Sequence, residues 1–124
     1  MNKFTPEYIE LCKNEKVQGL RPILNVGDYN VDIYGIFELN IRAYNPDGVD
    51  NEIRKAKTWL PTGDQLDEEI VKICKKNKYF YDFKYDSFCE HYYCFSGEHH
   101  RTFTDNINPL IAKIKLLIQL SEGE

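Results

Sequence analysis

Three patterns predict an α+β domain, with an antiparallel sheet of about four to five strands and the central and C-terminal helices packed together on one face. A capped helix start at Thr62 is followed by Leu66, Ile70, Ile73 and Cys74, whose spacing puts them on one stripe. Aromatic residues then alternate from Tyr79 to Asp86, and Phe88 to Ser96 returns as a second strand, the period of a hairpin. Finally, Asn108 and Pro109 open a run in which Leu110, Ile111, Ile114, Leu117 and Ile118 make a broad apolar helix face.

The remaining elements follow from local chemistry. Thr5-Pro6-Glu7 supplies a cap, a proline at the first helical position and an early carboxylate. Tyr8, Ile9, Leu11, Cys12 and Val17 give that helix an apolar side, with Gly19 as its stop. Ile23, Leu24 and Val26 read as a short strand after Pro22. Beyond the Gly27-Asp28 turn, Val31 and Ile33 belong to one strand, and Gly35 lies in the bend to the next. In that second strand Phe37, Leu39, Ile41 and Ala43 alternate with Glu38, Asn40, Arg42 and Tyr44, so the first four are expected on the buried face. Asn45-Pro46-Asp47-Gly48 ends the sheet segment, because turn residues crowd there. Residues 49–58, mixed in charge, read as a loop or ragged helix, residues 98–106 as a polar connector, and residues 121–124 as a loose end.

At the centre stands Trp59-Leu60-Pro61-Thr62-Gly63-Asp64-Gln65-Leu66. Thr62 and Gln65 have the spacing of a capping box, and Pro61 holds Leu60 extended as the chain arrives. Asp64 lies in the first turn, where the helix dipole favours negative charge, and the lysines at 72, 75, 76 and 78 gather at the other end, a solvated terminus. Trp59, just ahead of the turn, is expected to fold onto the helix it introduces. Continued by Asp67-Glu68-Glu69-Ile70, the octapeptide resembles a W-L-P-T-x-D-Q-L motif of small uncharacterised phage and prophage proteins. The resemblance extends through Pro109-Leu110-Ile111-Ala112-Lys113-Ile114-Lys115-Leu116 and takes in Gly27-Asp28-Tyr29 upstream. It implies a phage genome and hands over no functional residues, since that family carries no agreed activity.

The bulk properties narrow the function classes. With 124 residues the chain reads as a single domain, 1–124, long enough to bury a core without staples. A formal charge of −4 argues against wrapping duplex nucleic acid. No apolar run reaches membrane-spanning length and the start lacks a signal-peptide pattern, so the expected location is the host cytoplasm. Cys12, Cys74, Cys89 and Cys94 show no C-x-x-C spacing and read as reduced packing residues.

No catalytic constellation and no cofactor motif is present. The densest reactive stretch, from Cys89 to Arg101, matches no common zinc spacing, and Cys89 or Cys94 beside His91 lacks an orienting third group. Asp67, Glu68 and Glu69 lie in the opening turns of a helix, where acids are structurally favoured, and Asp82 and Asp86 solvate a strand. The chain therefore reads as a binder rather than an enzyme. In the phage setting that the octapeptide implies, the expected role is an accessory protein that sequesters a nucleotide-like signal. The alternative is an inhibitor that binds a host defence protein, and behind it stands a small metal-dependent hydrolase. A nucleotide needs rings for its base and cations for its phosphates, and the candidates are Arg42, Lys84, Tyr92, His99 and Arg101. The apolar last helix also leads to an expectation of homo-oligomers, with Leu116, Leu117 or Leu120 buried between subunits.

Overall fold

A computed structural model describes residues 4–42, 48–96 and 102–122. Its class is α+β, built from two compact units, Phe4–Pro61 and a second unit from Thr62 onwards. The expected single sheet of four to five strands is instead two antiparallel sheets of three strands each.

In the first unit, helix α1 (Pro6–Cys12) starts as expected, with the Tyr8 amide donating to the Thr5 hydroxyl. It does not continue to Gly19. The Asn14 side chain accepts from the amides of Lys16 and Val17, and this cap starts a separate helix, α2 (Glu15–Gly19). Residues 21–28 are irregular rather than a strand, although Leu24 is buried. Strands β1 (Tyr29–Asp32) and β2 (Phe37–Leu39) form the expected hairpin around Gly35, whose φ of 81° suits a residue without a Cβ. The Asp32 carboxylate holds that turn by accepting from the amides of Tyr34 and Ile36.

Two readings of this region are corrected. Phe37, Leu39 and Ile41, expected inside, are 45%, 52% and 86% exposed. Alternation reveals two faces but cannot tell which one a neighbour covers. Of the loop-or-ragged-helix reading of residues 49–58, the helical part stands as α3 (Gly48–Lys55), and the rest is corrected to strand β3 (Lys57–Leu60). Strand β3 pairs with β1, giving the order β2-β1-β3 and placing Trp59 beside Asn30. Ala43 lies outside the described residues.

In the second unit, helix α4 (Gly63–Asn77) opens with the full capping box: the Gln65 amide donates to the Thr62 hydroxyl, and the Thr62 amide donates to the Gln65 side chain. Lys78 closes the helix in the left-handed region. Thr62→Ala should therefore lower unfolding stability by about 1 kcal/mol; a urea titration showing no change would deny the cap that role.

Strands β4 (Tyr81–Asp86) and β5 (His91–Ser96) pair in register, with Tyr85 opposite Tyr92. The turn between them spans residues 87–90: Asp86 accepts from the amides of Phe88 and Cys89, and Glu90 adopts a φ of 56°. The polar connector hides a third strand, β6 (Thr102–Asn106), which pairs with β5. Helix α5 (Pro109–Glu122) is capped by Asn108 and extends into the supposed loose end.

Helix α5 packs on α4, β5 and β6, as the sequence led us to expect. Leu116 and Leu117 are fully buried and Leu120 nearly so, which removes the reason for covering this helix with a second subunit. Among the described residues, no helix is long and apolar enough to cross a membrane.

Three of the four cysteines, Cys12, Cys74 and Cys94, are buried and Cys89 is exposed. Burial pushes Cys12 up to about 12 and Cys94 up to about 11, the latter against a lowering hydrogen bond with Thr104. Both values lie above the ordinary thiol value of 9.0, so the folded state holds these protons more tightly than the unfolded one. The stability they contribute is complete below about pH 9 and is lost as pH rises from there through the folded values. A urea midpoint that falls above pH 9, with one thiol reacting in the native protein and four after denaturation, is the expected result. Fast native labelling of more than one thiol would contradict the burial.

Candidate ligand-binding site

Within the Phe4–Pro61 unit, a cavity of about 440 Å³ is lined by Lys13, Arg54, Lys55 and Lys57, with Gln18, Asn51, Thr58 and Pro22 completing it. None of these lining residues is acidic. The local folding explains how they meet. The break at Asn14 leaves Lys13 just past the end of α1. Helix α3 carries Arg54 and Lys55 in its last turn, where the dipole favours cations. A single residue, Ala56, then leads into β3 with Lys57 and Thr58.

Gln18 is the brace of this wall. Its amide donates to the carbonyls of Cys12 (2.6 Å) and Trp59 (3.0 Å), and its oxygen accepts from the Trp59 amide (2.8 Å) and the Arg54 guanidinium (3.0 Å). Both outward backbone groups of Trp59 are thus held by one side chain, which occupies the place a further strand would take along β3.

Arg54 is 8% exposed, and its guanidinium donates to the carbonyls of Arg21 (3.0 Å), Lys57 (2.8 Å) and Gln18 (3.3 Å) as well as to the Gln18 side chain. All four acceptors are neutral. Burial lowers its pKa from the usual value, and the charge of Asp28 offsets part of that. A buried cation without a carboxylate in contact creates a positive field that an incoming anion relieves.

The lysines are more loosely committed. Lys13 reaches Glu10 (2.7 Å) and Lys55 reaches Glu52 (3.4 Å) in exposed pairs of the kind that contribute little to stability. Lys57 bonds Glu38 at 2.6 Å and is largely covered. None of the three carboxylates lines the cavity. An anion entering there can exchange with Glu10 and Glu52 at small cost.

The five candidates named from the sequence are dispersed or lie elsewhere. Arg42 belongs to the first unit and forms a two-point ion pair with Asp50, at 2.9 and 3.3 Å. Lys84 and Tyr92 belong to the second sheet, on opposite faces, because Lys84 pairs with Tyr93 and Tyr85 with Tyr92. Lys84 sits 3.4 Å from Asp82. Tyr92 stacks against Phe83 and tilts onto Tyr85, so its ring is engaged with its own sheet. His99 and Arg101 lie outside the described residues.

Two further sets of groups lie on the second sheet. On the face of the second sheet away from α5, Tyr93, Phe95 and Phe103 form a column of rings with centroids 6.3 and 6.0 Å apart. His91 does have an orienting group after all: its Nδ1 lies 2.8 Å from Asp105 on β6, a partner hidden within the supposed connector. The neighbouring Cys89, however, interacts first with Tyr93, whose pKa it raises. Among the described residues, no group of three or more His, Cys, Asp or Glu side chains is placed to hold a metal.

On the inner face, Asp67 accepts from the Tyr81 hydroxyl (2.7 Å) and the Lys113 ammonium (3.0 Å), and Lys113 also lies 4.3 Å from the centroid of Phe83. Tyr81 is raised well above its usual range, first by burial and then by that hydrogen bond. This network ties α4, β4 and α5 together.

Sequence reasoning missed the cavity because its residues come from five segments, none with a motif. The available signal was the run Arg54-Lys55-Ala56-Lys57 directly before a buried strand. Comparison with family models, curated proteins and solved structures finds no match.

Proposed function

We propose that the protein acts by non-catalytic binding, and that its ligand is a phosphorylated small molecule held in the basic cavity of the Phe4–Pro61 unit. The observation that carries this reading is the lining itself, with four cations and no carboxylate around about 440 Å³. That volume falls within the range of roughly 300–1,000 Å³ typical of small-molecule sites. Lys13 and Lys55 supply mobile point charges for phosphate oxygens, while Lys57, held by Glu38, and buried Arg54 supply a fixed field behind them. Asn51 and Thr58 offer neutral polar contacts in the lining.

The lining contains no aromatic ring, so the ligand is selected by its phosphates rather than by stacking of a base. A nucleotide signal remains the reading for a phage protein working in the host cytoplasm, with sequestration as the outcome. Blocking of a host defence protein is the second reading, and it draws on the exposed apolar side chains of β1 and β2.

Calorimetry against cyclic dinucleotides, cyclic ADP-ribose isomers, ADP and pyrophosphate tests the proposal. Binding that is lost in a Lys13→Glu/Lys55→Glu variant, which leaves Arg54 and the fold intact, is the expected result. Silence across the panel, together with a stable complex recovered from host lysate, would transfer the function to the protein-blocking reading.

A further inference from the structure

The two edges of the first sheet are treated differently. Along β3, the outward amide and carbonyl of Trp59 are both taken by Gln18. Along β2 nothing comparable happens. The Asn40 amide donates to the Asp28 carbonyl, the Gly27 amide to the Asn40 carbonyl and the Asp32 amide to the Ile36 carbonyl, so the even-numbered residues of this strand face β1. Phe37 and Leu39 therefore turn their amides and carbonyls away from the sheet, and these find no partner among the described residues. The edge is short, three residues with Glu38 at its centre, but it has no proline, no bulge and no outward lysine.

We propose that a second copy of this chain pairs with β2, edge to edge and antiparallel, in a two-fold dimer with one continuous six-stranded sheet. The occupant is argued from register and charge. Antiparallel pairing of an edge with itself is self-complementary only about a two-fold axis. An axis at Glu38 would set two glutamates opposite each other, which is destabilising. An axis at Leu39 pairs Leu39 with Leu39 of the second copy and Phe37 with Ile41 of the second copy. Glu38 then lies opposite a neutral Asn40. Within its own chain Glu38 is already matched by Lys57 at 2.6 Å, so the edge approaches its twin without net repulsion. The half-exposed Phe37 and Leu39 and the almost bare Ile41 become covered by their counterparts. This also accounts for an apolar row that a solitary sheet leaves in water.

Sedimentation velocity on the full chain at tens of micromolar tests the pairing. The wild type should sediment as a dimer of the 14.7 kDa chain. Leu39→Pro removes an outward amide without touching the bonds to β1 and should give a folded monomer, judged by circular dichroism. Phe37→Lys, which places a charge on the edge and leaves the backbone alone, should do the same if the proline variant fails to fold. A wild-type monomer over this range would overturn the proposal, and so would a dimer that survives Phe37→Lys.

Discussion

Replacing Trp59 with alanine is expected to lower unfolding stability by about 3–5 kcal/mol, the range for deleting a large buried ring. Trp59 is fully buried in β3, and the Arg21 guanidinium lies 4.8 Å from its ring centroid. Its indole N–H makes no hydrogen bond among the described residues, so the loss is one of packing and of the cation–ring contact. Trp59→Phe should accordingly recover a large part of the deficit. Urea titration of the three proteins decides it: an alanine variant as stable as the parent would deny the ring its place in the core.

Arg54→Ala is expected to destabilise by about 2–4 kcal/mol, because part-buried acceptors are left without a donor. The acceptors are the carbonyls of Arg21, Gln18 and Lys57 and the Gln18 side chain, which itself braces Trp59. Arg54→Lys should restore little, since a single ammonium cannot span positions served by a planar fork. Should Arg54→Lys prove as stable as the parent in the same titration, the guanidinium geometry would have no structural role. This residue also separates stability from binding. Its loss should weaken the scaffold, whereas Lys13→Glu and Lys55→Glu should weaken ligand affinity with the fold unchanged.

Three helix starts were legible from the side chains that cap them. Thr5, Thr62 and Asn108 each bond the amides that their positions suggest. The pairing of β4 with β5 was legible from ring alternation. Third strands were not: β3 is only four residues long and β6 is short and polar, and only their pairing with β1 and β5 makes them strands. The inward side of β2 was misread because Phe37, Leu39 and Ile41 satisfy the alternation rule while lying on an uncovered face. Asn14 was overlooked as a helix break since the apolar positions continue across it to Val17. For the site, Arg42 and Lys84 were chosen for their place near sheet ends, yet each is matched by an aspartate, Asp50 and Asp82 respectively. Arg54 carried no such signal, because its significance lies in burial against backbone carbonyls.

The central claim is that the basic cavity is where ligand binds. An NMR titration of the isotope-labelled protein with pyrophosphate, followed by ADP, tests it residue by residue. The account predicts saturable amide shifts at Lys13, Gln18, Arg54, Lys55 and Lys57, the residues that surround the cavity. Shifts confined to His91, Tyr93, Phe95 and Phe103 on the ring face of the second sheet, or no saturable shifts at all, would contradict it.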